Sequence, residues 1–245
     1  MALNSSKTNF IYFHSKHSKT NDLQLQIGNN KINCLEHAKI LGIHVDEHLT
    51  WSNHVNSLSK KLNSVCFNMS CLTNIISMET KLTLYYGYFQ SLLSYGIAIW
   101  GGASSLDKLL IIQKRMLRII TMSPPKKSCK QTFKSLKILT APSLYIYTLL
   151  INVFKNKEKY FMNNYDYKYN TRNKNKILQY PLHRTTHFER SSVYMEMKFF
   201  NKIPNDWKEF ELLKFSKLLK THLINRAYYT IQDFLNDNEI GFNNI

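Results

Sequence analysis

The sequence predicts a mainly helical α+β fold: a small N-terminal antiparallel β-sheet, a helical bundle and a helical C-terminal extension. Three observations predict it. Apolar and polar residues alternate before residue 50, which is typical of strands, and apolar residues recur every three or four positions after Trp51, which is typical of amphipathic helices. A Pro124-Pro125 pair followed by lysines then interrupts the helical pattern. We therefore expect three domains, at residues 1–50, 51–121 and 122–245.

Short alternating runs in the first domain indicate three or four strands. The first run extends from Phe10 to Phe13. Two further runs, Leu23 to Ile27 and Lys31 to Leu35, flank a Gly-Asn-Asn sequence that tolerates positive φ, and we expect them to form a hairpin. Ile40 to Val45 is a further predicted strand. A sheet of this size needs another element to cover its apolar face.

Three helices are predicted between Trp51 and Thr121. The first is capped by Ser52 or Asn53, the second extends from Ser77 to Trp100 until a Gly-Gly pair stops it, and the third extends from Ser104 to Thr121. Short loops between successive helices favour an antiparallel bundle. The stripe of the first helix consists of Val55, Leu58, Leu62, Val65, Met69 and Leu72.

The last domain begins with a linker, Met122 to Gln131. A helix is predicted from Pro142, a residue suited to the first turn, to Phe154. The stretch from Lys155 to Lys176 is rich in Asn, Lys and Tyr and is predicted to be a mobile loop. Two more helical patterns follow, at Ser191 to Phe200 and at Phe215 to Tyr229.

The charge balance indicates a polyanionic partner. The chain has 33 Lys and Arg residues against 16 Asp and Glu residues, a net charge of +17, and nucleic acid relieves such self-repulsion. A membrane is not expected, because the most apolar stretch, Leu82 to Trp100, is interrupted by polar residues and glycines. The N-terminal residues lack the features of a secretory signal, so we expect an intracellular chain, nuclear or cytoplasmic, with its four cysteines reduced.

Four segments carry a resemblance to a known family. In order and spacing they resemble the region that follows the catalytic strands in the reverse transcriptases of LINE-like, non-LTR retrotransposons. The most specific segment is the second, which is similar to a K-Y-L-G-[VI]-x-x-D-x-x-L-x-W pattern. The segments are Asn4 to Thr8 before a strand; Ala38 to Asp46 with Leu49-Thr50-Trp51; Tyr95-Gly96 and Trp100-Gly101 with Gln113 to Arg118; and Phe200 to Pro204 with Phe215 to Leu223.

The resemblance implies that the first domain is the end of a polymerase palm, the second a helical thumb and the third a basic extension. The chain is then expected to be a fragment of an RNA-directed DNA polymerase that binds template-primer. The family's catalytic carboxylates lie upstream of the first segment, and no two aspartates are adjacent in this chain. Two-metal catalysis needs clustered carboxylates. We therefore expect no catalytic residue, no activity and no cofactor in this chain alone, with Mg²⁺ only in the complete parent enzyme.

Nine residues are candidates for nucleic-acid contact. By resemblance, a lysine before the first strand lies near the phosphates of the incoming nucleotide, and the second segment forms the primer grip. Cations on the helices of the second domain are suited to a groove for a template-primer duplex. The alternatives are an exposed lysine, core strand residues and solvated helix faces. The candidates are Lys7, Lys39, Leu41, Gly42, Lys60, Lys61, Lys114, Arg115 and Arg118.

No metal site is predicted. Two groupings were considered: the set Cys66, Cys71, His183 and His187, and the pair His44 and His48 beside Asp46 and Glu47. In the first grouping the cysteines lie roughly 140° apart around a helix and far from the histidines in sequence. The second grouping has no third partner in the sequence nearby.

Two other functions stay open. In one, the chain is a protein interaction module whose exposed apolar sheet face docks onto the missing portion of the polymerase. In the other, it is a transposon remnant without function. The expected partners are accordingly an RNA or DNA template-primer and the missing polymerase portion.

Overall fold

A computed structural model describes residues 7–15, 23–28, 30–125, 127–162, 176–186 and 188–241. The chain forms two compact units, Met1–Leu58 and Ser59–Ile245, which we call the N-terminal unit and the C-terminal unit. The predicted fold class is confirmed, because the chain is mainly helical and its described strands all precede residue 50. The division into three domains stays a prediction.

A three-stranded sheet lies in the N-terminal unit. Strands β2 (Leu25–Ile27) and β3 (Asn30–Cys34) pair antiparallel, which confirms the predicted hairpin. Gly28 lies in the turn with a φ of 60°, a conformation that glycine adopts without strain. Strand β1 (Asn9–Phe10) joins the other side of β3 in parallel orientation, so the sheet is mixed and has the order β1-β3-β2.

A separate hairpin consists of β4 (His37–Ile40) and β5 (Ile43–Asp46). The prediction of one strand from Ile40 to Val45 was wrong, because the chain reverses at its second and third residues. Leu41 and Gly42 have φ values of 48° and 86°. A two-residue turn with two positive φ angles matches the twist of antiparallel strands. The predicted primer-grip segment is therefore a hairpin, with Leu41 and Gly42 at its tip.

Asp46 organises the connection from β5 to the first helix. Its carboxylate accepts hydrogen bonds from the backbone N–H groups of His48 (3.2 Å), Thr50 (2.9 Å) and Trp51 (3.0 Å). These donors are satisfied without a regular strand or helix partner, which lets the chain turn sharply. Helix α1 (Ser52–Leu72) follows directly, and Ser52, one of the two residues predicted as its cap, is its first helical residue.

The predicted helix from Ser77 to Trp100 is divided into segments. It comprises α2 (Met78–Leu84), a π-helical stretch (Tyr85–Gln90), α3 (Ser91–Ser94) and α4 (Ile97–Trp100). The prediction of one continuous helix was wrong, because Gly96 adopts a φ of 64° between α3 and α4. Helix α5 (Leu106–Thr121) follows and confirms the third predicted helix.

Helix α7 (Ala141–Lys155) lies at the centre of the C-terminal unit. Thr140 caps it by accepting a hydrogen bond from the N–H of Ser143, and Pro142 lies in its first turn as predicted. It packs against α5, α9 (Ser192–Lys202) and α11 (Leu212–Arg226). The remaining helices are α6 (Lys130–Ser135), α8 (Lys157–Met162), α9 (Ser192–Lys202), α10 (Asn205–Lys208), α11 (Leu212–Arg226) and α12 (Ile231–Asn236).

The last two predicted helices correspond to α9 and α11. Helix α11 begins three residues before Phe215 and ends at Arg226, where Ala227 adopts a left-handed conformation. Helix α8 occupies the start of the predicted mobile loop, and residues 163–175 lie outside the described residues. Within the described residues, no helix is both long enough and apolar enough to cross a bilayer.

A buried glutamine joins three elements of the C-terminal unit. The Gln113 side chain on α5 is fully buried. Its amide N–H₂ donates to the Tyr85 hydroxyl (2.9 Å) and the Leu139 carbonyl (2.8 Å), and its oxygen accepts from the Ala141 N–H (2.8 Å). These hydrogen bonds fix α5 against the π-helical stretch and the start of α7, which determines how α5 presents its outer face.

Candidate nucleic-acid interface

Four candidate residues lie in the N-terminal unit, and all four are exposed. Lys7 precedes β1, and Lys39 lies on β4 opposite His44. Leu41 and Gly42 form the hairpin tip, and the Leu41 side chain is 85% exposed. The alternative that this segment consists of core strand residues therefore fails for Leu41.

The part of α1 that belongs to the C-terminal unit has a polar and basic outer face. Residues three, four and seven positions apart share a helix face. Lys60, Asn63 and Phe67 have this spacing and are exposed, whereas Leu62 and Cys66 on the opposite side are buried. Lys61 is exposed about 100° around the axis from Lys60. Helix α1 contains no acidic residue.

Helix α5 exposes a second row of residues. Lys108, Ile111 and Arg115 are exposed at the spacing of one helix face. The guanidinium of Arg115 donates a hydrogen bond of 3.4 Å to the Asn63 side-chain oxygen, which brings the α1 and α5 rows together. We call this surface the α1–α5 face; it consists of Lys60, Asn63, Phe67, Lys108, Ile111 and Arg115.

Two candidate cations of α5 are held by other groups. The Lys114 ammonium lies 3.5 Å from the centroid of the Tyr229 ring, a cation–π contact. Burial lowers the pKa of Lys114. The Arg118 guanidinium donates to the Lys127 carbonyl (3.3 Å) at the end of the helix. The structure thus brings Lys60 and Arg115 into one face, and it gives Lys114 and Arg118 intramolecular partners.

The charges on the α1–α5 face have no acidic partner. Among the described residues, ion pairs of lysine and arginine involve only Lys176 and Arg226. Neither residue lies on α1 or α5. The potentials of neighbouring unpaired cations add up, so this face is expected to have a positive electrostatic potential.

Helix α11 carries a basic stripe whose lysines are not among the nine candidate residues. Lys214, Lys217 and Lys220 are all exposed and recur at intervals of three. No acidic residue lies between Leu212 and Arg226. The sequence already indicates a basic helix here. The structure shows that its three lysines lie on the exposed side of that helix.

The described residues thus combine three features that bear on function. They are a small sheet, a helical unit and a cationic helical face without acidic partners. No protein-family model and no solved structure matches the chain.

Two curated proteins are similar to parts of the chain. The RNA-directed DNA polymerase from mobile element jockey of Drosophila melanogaster is 30% identical over 105 residues, which are 41% of this chain and 12% of that polymerase. The probable RNA-directed DNA polymerase from transposon X-element, also of Drosophila melanogaster, is 29% identical over 126 residues, 49% of this chain and 14% of that polymerase. The matches thus span a small fraction of the length of either relative. They support a relationship to the reverse transcriptases of mobile elements.

Proposed function

We propose that this chain is a fragment of a non-LTR retrotransposon reverse transcriptase that binds template-primer nucleic acid and lacks the catalytic aspartates. The observation that carries the proposal is the α1–α5 face, whose cations have no acidic partner among the described residues. The similarity to two mobile-element polymerases supports nucleic acid as the polyanion.

The chemistry of the face suits a sugar-phosphate backbone. Lys60 and Arg115 offer positive charge to phosphates, and Asn63 between them offers a side-chain amide. Phe67 and Ile111 are 64% and 65% exposed and supply apolar area for sugars or bases. Contacts of this kind bind a duplex without reading its sequence.

The hairpin tip is the second contact in the proposal. In it, the exposed Leu41 and Gly42 press against the primer end, as in the primer grip of the family, while Lys39 and Lys7 contact phosphates. Polymerisation belongs to acidic residues of the parent enzyme, and Mg²⁺ is bound only there. The chain alone binds nucleic acid and performs no nucleotidyl transfer.

Charge reversal on the face tests the proposal. The double variant Lys60→Glu/Arg115→Glu should bind a fluorescent RNA–DNA duplex at least tenfold more weakly than the wild type, measured by anisotropy. Lys176→Glu/Arg226→Glu is the matched control, because it changes the net charge by the same amount at two cations that are already paired, Lys176 with Glu209 at 3.0 Å and Arg226 with Glu239 at 2.8 Å. An equal loss of duplex affinity in both variants would mean that only the net charge of the chain matters, which would contradict the proposed face.

Exposed apolar side chains of the N-terminal unit favour docking as a second candidate function. Phe13, Leu23, Ile40 and Leu41 of the N-terminal unit are each more than two-fifths exposed. Apolar side chains in such number indicate a protein partner, and in this proposal the partner is the missing polymerase portion. Leu23→Glu should weaken binding to that portion in calorimetry and leave duplex binding unchanged; unchanged binding to both would exclude docking through Leu23.

A further inference from the structure

Two histidines and a glutamate converge in the N-terminal unit. His14 follows β1, and Glu47 and His48 follow β5. The Nε2 atom of His14 lies 3.5 Å from one carboxylate oxygen of Glu47, and the Nε2 atom of His48 lies 3.4 Å from the other. The backbone N–H of His14 also donates to the Glu47 carbonyl (3.2 Å), which fixes the two segments side by side.

Backbone carbonyls determine the protonation of both rings. The Nδ1 atom of His14 lies 2.9 Å from the Ser15 carbonyl oxygen, and that of His48 lies 3.0 Å from the His14 carbonyl oxygen. A carbonyl oxygen only accepts hydrogen bonds, so each Nδ1 carries the proton. In a neutral ring, each Nε2 then directs a lone pair at the Glu47 carboxylate. Lone pairs and a carboxylate repel one another unless a cation lies between them.

The distances distinguish a proton from a metal ion. A charged hydrogen bond from imidazolium to carboxylate measures about 2.7–2.9 Å, which is shorter than the observed 3.4 and 3.5 Å. Two ligands of a tetrahedral zinc ion, with bonds of about 2.0–2.1 Å, lie about 3.4 Å apart. The three ligand atoms lie within 4.8 Å of one another, so small side-chain movements close the site around an ion.

We propose that His14, Glu47 and His48 bind a divalent transition-metal ion, with Zn²⁺ as the expected occupant. Two imidazoles and one carboxylate are typical zinc ligands, whereas Mg²⁺ and Ca²⁺ prefer oxygen ligands throughout. The hydrogen bond from each Nδ1 to a carbonyl is the usual support behind a ligating histidine. The proposal departs from the expectation of no metal, which rested on the lack of a third partner; His14 supplies it.

The ion gives the N-terminal unit a cross-link. It connects the segment after β1 with the turn after β5, which are far apart in sequence. Small units with few buried side chains commonly need a metal or disulfide to hold one structure. The proposed site therefore stabilises this unit, and the inference stands whether or not the chain binds nucleic acid.

Calorimetric titration of the full, metal-free chain with Zn²⁺ tests the site. One equivalent should bind, and His14→Gln and Glu47→Gln should each weaken binding by more than about 100-fold, since even a lost partner behind a ligand costs 10–100-fold. His183→Gln is the control, because His183 pairs with Glu189 at 3.1 Å and no third ligand joins them among the described residues. Absence of binding, or affinity retained in the two variants, would overturn the proposal.

Co²⁺ bound to the wild-type chain reports the donor atoms even if a variant fails to fold. Tetrahedral nitrogen and oxygen ligation should give visible absorption bands without the intense near-ultraviolet band of cobalt–thiolate bonds. Cys34 and Cys71 are exposed thiols and the competing ligands. A thiolate band, or a spectrum of hydrated Co²⁺, would exclude the site.

Discussion

The N-terminal and C-terminal units differ in how many side chains they bury. Among the described residues of the N-terminal unit only Ile43, His54, Val55 and Leu58 are buried. The C-terminal unit instead buries many large side chains, among them Tyr85, Trp100, Phe133, Phe199 and Phe215. The energy from buried apolar area is proportional to that area. The C-terminal unit therefore has a core of its own, whereas the described residues of the N-terminal unit gain little stability from buried apolar area.

Truncating one phenylalanine in each unit gives the largest expected contrast. Phe199 is fully buried and has edge-to-face contacts with the Tyr145 and Phe234 rings. Phe199→Ala should lower the free energy of unfolding by about 3–5 kcal/mol. Phe13→Ala, at a residue 52% exposed, should cost less than about 1 kcal/mol. Urea denaturation measures both, and similar losses would mean that the two units do not differ as described.

A buried histidine makes the C-terminal unit sensitive to acid. Burial lowers the pKa of His222 to about 4, and its Nε2 lies 3.0 Å from the Tyr228 hydroxyl. The unfolded chain binds a proton near pH 6.5, so stability should fall as the pH decreases from about 6.5 to about 4, by about 3 kcal/mol at most. In His222→Gln, the urea concentration at the midpoint of unfolding should vary less with pH across this window. A slope that persists in the variant would assign the effect to other groups.

The buried glutamine allows a smaller test of the same core. Gln113→Leu leaves the Leu139 carbonyl and the Ala141 N–H without their partner, which should cost about 2 kcal/mol. Gln131→Leu is the control, because Gln131 is exposed and should change stability by less than about 0.5 kcal/mol. If Gln113→Leu is as stable as the wild type, the glutamine does not connect α5 with α7 as inferred.

The sequence predicted elements whose signal is local. The buried stripe of α1 from Val55 to Met69, the first turn of α7 with Pro142 and the β2–β3 hairpin follow from periodicity and from residues with restricted or permissive φ. The turn at Leu41 was missed, because leucine rarely adopts a positive φ and the run around it is apolar. The break at Gly96 was missed because apolar residues continue on both sides of it.

The candidate site was predictable only in part. Exposure of Lys60 and Arg115 follows from the apolar stripes of their helices, but their proximity depends on the hydrogen bond between Arg115 and Asn63, which no pattern in the sequence indicates. His14 lies far in sequence from Glu47, and only strand pairing brings them together. Contacts distant in sequence are the part that local patterns do not determine.

The dependence of duplex affinity on salt tests the central claim most directly. Each phosphate contact contributes about 0.9 to the slope of log affinity against log salt. If Lys60 and Arg115 each contact one phosphate, Lys60→Ala/Arg115→Ala should reduce the wild-type slope by about 2. The same slope in wild type and variant, measured on one RNA–DNA duplex over a series of KCl concentrations, would contradict phosphate binding by the α1–α5 face.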